Sequence, residues 1–241
     1  MLEADRNDVF AAQTENVRAL EQAWKHLNKS VNAAYSCGNS SSAEIHTKLL
    51  AQVYCAFAEA IFSKAIHTPN GLTLDEISQV KSKGKQNIVQ AWKKCVELSL
   101  RKVDGKNSGH VANTQQKIFS LIDTYVFDPS LLRNKIAHGQ WRVALNSNNT
   151  KINGDITNKI KTITVVDLYR YKEAFQSLFR IVEDIIESPN KAHHRDYWGH
   201  ITAFDESQQN MASWTIEEKI KALKTKRMRA KNYKGITIKS T

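Results

Sequence analysis

Apolar residues recur along this chain at helical spacing. Over residues 9–27, Val9, Ala12, Val17, Leu20, Trp24 and Leu27 fall mostly three or four apart, which predicts an amphipathic helix. Residues 43–66 predict a second helix with a broader apolar face (Leu49, Leu50, Val53, Tyr54, Phe57, Ile61, Phe62), stopped by Pro69, Asn70 and Gly71. A third pattern covers 74–103, with a break at Lys83 and Gly84 and four-residue steps through Ile88, Trp92, Val96 and Leu100. Ile118, Phe119, Ile122 and Val126 mark a fourth over 111–127. Helices with one apolar face each cannot bury it alone, so they must pack on one another.

A short element follows. Asp128 is a good N-cap, Pro129 suits a first helical position and Gly139 stands where a left-handed C′ residue is wanted, so a helix is predicted over 129–138. Beyond it Trp141, Val143 and Leu145 alternate with Arg142 and Ala144, and 160–166 is rich in β-branched residues. Joined by a polar loop containing Asn153-Gly154, these two runs predict a β-hairpin. Residues 167–186 return to a helical pattern that ends at Ser188, Pro189 and Asn190. The stretch HHRDYWGHITAFDESQQNMASW shows no clear period, and its first part, HHRDYWGH, reads as a histidine-rich surface loop. The expected fold is all-α: an antiparallel helical bundle over residues 1–205 with a β-hairpin inserted after the short helix, then a basic tail over 206–241.

Composition narrows the class. Of 241 residues, 41% are hydrophobic and only 9 are Gly and 3 Pro, which excludes a disordered or collagen-like chain. The formal charge is +11, and residues 217–241 hold +7 of it. Lys224, Lys226, Arg227 and Arg229 in that tail are candidates for contact with RNA phosphates, the alternative being a flexible solubilising end. Cys37, Cys55 and Cys95 are far apart and odd in number, so they are expected to be small core residues. No stretch reads as approaching the roughly 18 apolar residues of a membrane span, and the acidic start MLEADRNDVF does not read as a signal peptide; a cytoplasmic protein without membrane contact is expected. No Walker loop, GxGxxG, HExxH or GxSxG motif is present in the sequence.

The candidate chemistry lies in the short helix, LLRNKIAHG from Leu131. Asn134 and His138 are four apart and share a face, while Leu132 and Ile136 share roughly the opposite one. The side chain of Arg133 is long enough to reach the polar face, and His138 ends the helix, where backbone carbonyls favour a cation. A guanidinium that holds phosphate and an imidazole that moves protons suit phosphodiester chemistry. With RNA the nucleophile is the substrate's own 2′-hydroxyl, so no metal or cofactor is required of the protein. One such histidine per chain is sparse, and a two-fold dimer would supply a second.

At Arg133, Asn134 and His138 the sequence resembles the ribonuclease members of the HEPN superfamily, which carry an Arg, an adjacent polar residue and a His four to six positions after the Arg. The order of predicted helices is similar as well. The resemblance implies a metal-independent endoribonuclease, dimeric with the motif helices facing each other, acting as a toxin or abortive-infection effector, with a possible antitoxin or defence-system partner. Gln140 stands where the nucleotidyltransferase-paired toxins of the family carry a Tyr, so regulation through that tyrosine is not implied.

Other residues are candidates for the same chemistry. Lys135 sits within the motif and is a candidate RNA contact; Tyr197 and Trp198 offer rings for base stacking or, alternatively, anchor the tail on the bundle. Glu59, a lone acid within AFAEAIF, is a candidate for lining the site, against an ordinary solvated Glu. Arg195, Asp196 and His200 repeat the motif spacing. His193, His194 and His200 lack the carboxylate or cysteine spacing of a metal site. The alternative to a nuclease is a non-catalytic helical module that binds RNA or nucleotide or regulates a partner.

Overall fold

The computed structural model describes residues 2–85, 87–105 and 109–238, and gives no side-chain placement for Phe127, Asp128, Arg133 or residues 231–238. The all-α expectation holds: ten α-helices and a π turn are present, with no named strand among the described residues. In chain order they are α1 (Glu3–Ser36), α2 (Ser40–Ile66), α3 (Leu74–Gly84), α4 (Ile88–Leu100), α5 (His110–Ile122), the π turn (Asp123–Phe127), α6 (Asp128–Ala137), α7 (Gly154–Thr162), α8 (Val165–Glu187), α9 (Ala192–Ala212) and α10 (Ile216–Ile238). The break expected near Gly84 separates α3 from α4, where Asn87 caps the new helix through Val89 N–H.

Helix α2 is the spine. Trp24 of α1 meets Tyr54 ring to ring at 6.4 Å, and Lys64 lies over the Phe10 ring, so α1 runs antiparallel to α2. On its other side Tyr54 reaches the Tyr171 carbonyl and Lys64 pairs with Glu183 at 3.1 Å, so α8 runs parallel to α2, a departure from a strictly antiparallel bundle. Trp92 of α4 fills the space between them, packed on Phe62 and Phe175. Gly71 admits the close approach of the α2–α3 turn to α8: a Cβ there would lie 2.5 Å from Ile186 Cγ2. Half of the most apolar window of α2 is buried in this core. By length and composition alone α2 is apolar enough to cross a membrane, which corrects the expectation that no such stretch exists.

The β-hairpin is not formed. Residues 160–166 are the end of α7 and the start of α8, with the Ile163–Thr164 junction between them, and among the described residues after α6 the strand-like feature is an isolated antiparallel bridge between Leu145 and Ile152. Local capping outcompetes the β-branched composition. Asn153 accepts from Ile156 N–H at 3.0 Å to start α7, and Thr164 with Asp167 forms a reciprocal capping box that starts α8. Residues 193–200, expected as a loop, lie in a helix, α9, which runs antiparallel to α8 (His200 beside Asp184, Ala212 beside Arg170) and buries His193, Tyr197, Ile201, Phe204 and Met211, with His193 and Tyr197 on His110 of α5 and Phe204 on Tyr125 of the π turn. Cysteines 55 and 95 are buried as expected, and burial pushes the Cys95 thiol up to about 12; Cys37 is exposed, contrary to expectation.

Candidate functional site

Helix α6 is placed by three sets of contacts. Its start is continuous with α5 through the π turn, so Asp128 is an internal helical residue and not the expected N-cap. Pro129, which has no N–H to donate, is tolerated where the chain leaves this wider turn. Along its length α6 lies antiparallel to α2: Pro129 and Ser130 lie near Glu59, and Gln52 donates to the Ile136 carbonyl at 3.3 Å. Behind it, Leu132 (5% exposed) packs with Ala144 and Ile160 in a small satellite core, while Ile136 (1% exposed) joins the main one. Buried Lys48 of α2 donates to the Ile160 carbonyl at the end of α7, tying that satellite to the spine; burial lowers its pKa from the ordinary lysine value.

The C-terminal end of α6 closes as the sequence predicts. Gly139 has φ +77°, its N–H reaches the Ile136 carbonyl at 3.1 Å, and Gln140 N–H reaches the Lys135 carbonyl at 2.9 Å. That pair of bonds around a left-handed residue is a Schellman motif, and it makes His138 the last residue before the reversal. The chain then folds back. Trp141 donates its indole N–H to the Ile136 carbonyl at 3.0 Å, and Gln140 accepts from Leu145 N–H at 2.8 Å. Gln140 therefore has a local structural role at the position where the resembled toxins carry tyrosine.

The polar face separates from the apolar one as expected. Asn134 and His138 are exposed, and neither side chain makes a hydrogen bond among the described residues. The backbone of Arg133 lies in α6, but its side chain is outside the described residues, so its approach to His138 is not part of the observed geometry. Lys135 is committed elsewhere, with its ammonium donating to the Leu145 carbonyl at 2.6 Å. Glu59 is exposed and borders a narrow cavity of about 40 Å³ with Tyr54, Trp92, Tyr125, Pro129 and Ser130. This is the wrong end of α6: Ser130 and His138 are eight residues apart, roughly 12 Å along the axis. The cavity is also far below the few hundred Å³ of a nucleotide-sized pocket.

The remaining candidates divide. Tyr197 is only 3% exposed and packs against the His110 and His193 rings, so it cannot stack on a base; Trp198 is 66% exposed and can. The tail is a helix, α10. Lys224, Lys226 and Arg229 are exposed on it, whereas Arg227 is half-buried and donates to the Ser36 carbonyl of α1 at 3.0 Å. Arg195, Asp196 and His200 are spent on neighbours. Arg195 holds both carboxylate oxygens of Asp196 at 2.8 and 2.6 Å, and His200 Nε2 lies 3.1 Å from Asp184 of α8. No family model matches this chain, and neither a curated protein nor a solved structure is similar to it at a significant level.

Proposed function

We propose that the chain is a HEPN-type, metal-independent endoribonuclease that cleaves RNA by attack of the 2′-hydroxyl, acting as a toxin or antiviral defence effector. The observation that carries this reading is the division of α6: Leu132 and Ile136 anchor one face, while Asn134 and His138 stand exposed and unspent on the other, beside Arg133 in sequence. In the proposed reaction His138 takes the proton from the 2′-hydroxyl, whose oxygen attacks the adjacent phosphorus. The 5′-oxygen leaves and receives a proton from a second imidazole, and the products are a 2′,3′-cyclic phosphate and a 5′-hydroxyl. Arg133 neutralises the phosphorane and Asn134 orients phosphate or imidazole. The second imidazole is His138 of a second copy, in a homodimer whose α6 helices face each other. Support for that surface comes from Val143 (42% exposed) and Ile152 (67% exposed), apolar residues left to solvent on the segment that follows α6.

Purified protein should cut RNA equally with EDTA present, and Arg133→Ala and His138→Ala should each abolish cutting; chelator-sensitive cutting by folded protein, or an active His138→Ala variant, defeats the reading. The exposed cations of α10 favour a second reading, RNA binding without cleavage. Expression in cells separates the two. A nuclease arrests growth and its His138→Ala form does not, whereas a binding module is harmless in both forms.

A further inference from the structure

His110 is the first residue of α5, and His193 and His194 stand in the first turn of α9, so two helix starts 83 residues apart in sequence bring three imidazoles together. Their ring centroids are 5.4, 5.5 and 5.6 Å from one another. His193 is 1% exposed, His110 is half-buried and His194 faces solvent. His193 Nε2 lies 3.3 Å from His110 Nε2, and its Nδ1 is buried with no hydrogen-bond partner among the described residues. The polar capacity of this buried ring is therefore spent on no peptide group, carboxylate or hydroxyl, only on another imidazole.

Two neutral imidazoles in this arrangement share at most one N–H···N contact, and 3.3 Å is long beside the ~2.9–3.0 Å of a good N–H···O bond. It is the spacing of two nitrogens on one tetrahedral ion: metal–nitrogen bonds of about 2.0–2.1 Å at the tetrahedral angle place them ~3.3–3.4 Å apart. Imidazole sets of this kind select Zn²⁺ and its borderline neighbours over hard cations.

We propose that His110, His193 and His194 form a transition-metal site. His110 and His193 supply the facing Nε2 atoms, His194 turns in from the solvent side as third ligand, and the fourth position is open to water. The ion clasps the start of α5 to the start of α9. It lies far from the proposed nuclease face, since α6 begins 18 residues after His110, roughly 25 Å along the continuous helix. A competing cluster exists, Asp184, Asp196 and His200, whose ligand atoms lie within 4.8 Å of one another. An ion there would have to displace Arg195 from Asp196 and break the His200–Asp184 bond, and nothing in that cluster is left unpartnered.

The test is zinc titration by calorimetry of the untagged full-length chain after chelator dialysis, with Co²⁺ absorption as a report of tetrahedral geometry. One Zn²⁺ per chain is expected, with a rise in melting temperature. His194→Ala, which removes an exposed side chain, should leave the zinc-free melt unchanged. Its zinc affinity should fall by at least the roughly 10–100-fold that losing an outer-shell partner costs. His110→Ala should lose the site as well, and His200→Ala should keep it. Absence of saturable binding, retention of affinity in His194→Ala, or loss of affinity in His200→Ala overturns the proposal, and each readout is independent of RNA cleavage.

Discussion

Residues 133–138 and 195–200 share one spacing, an Arg, a polar neighbour and a His five positions after the Arg, and both stretches are helical apart from the terminal His138. Their surroundings differ. On α9 the guanidinium closes on its own neighbour Asp196 and the imidazole on Asp184, so the charges are balanced within the protein. On α6, Asn134 and His138 are offered to solvent while the opposite face is locked by two apolar clusters and the end is fixed by a left-handed glycine. The comparison separates two meanings of one pattern. A spacing becomes a candidate site where rigid support lies behind it and the polar groups in front have not been consumed.

That contrast can be broken most decisively by function. His138→Ala should lower RNA cleavage by the roughly 10²–10⁴-fold that a general acid–base is worth, and His200→Ala should leave the rate unchanged; equal losses would erase the distinction. Next in size is the support behind the site. Ile136→Ala should destabilise the fold by about 2–5 kcal/mol in denaturant melts, as expected for a fully buried Ile. Gly139→Ala should cost about 1–2 kcal/mol, from backbone strain alone, because no atom lies within 4 Å of the added Cβ. Smallest is Thr164→Ala, about 1 kcal/mol for the lost cap of α8; a null effect there would weaken the account of why the β-branched run 160–166 is helical.

Sequence reasoning located α6 and its polar face because the signals are local: Gly139 for the reversal, and four-residue spacing for Asn134 with His138 and for Leu132 with Ile136. It misplaced the start, since the π turn that carries α5 into Asp128 has no sequence signature as plain as a cap. Residues 160–166 read as a strand from their β-branched content alone, whereas the Asn153 cap upstream and the Thr164 cap within the run make them helical. The buried face of α9 is also periodic in the sequence, at 193, 197, 201, 204 and 211, but two of those five positions are a His and a Tyr, whose polar atoms blur the apolar pattern. The His110–His193 contact spans 83 residues and has no local signal at all.

In the proposed reaction, groups on α6 activate the substrate's own 2′-hydroxyl. The most direct measurement is a cleavage time course on one RNA and on the same RNA methylated at every 2′-oxygen, with the product ends identified. The account predicts 5′-hydroxyl and 2′,3′-cyclic phosphate ends from the first and no cutting of the second. Cleavage of the methylated RNA, or 5′-phosphate ends, would contradict it.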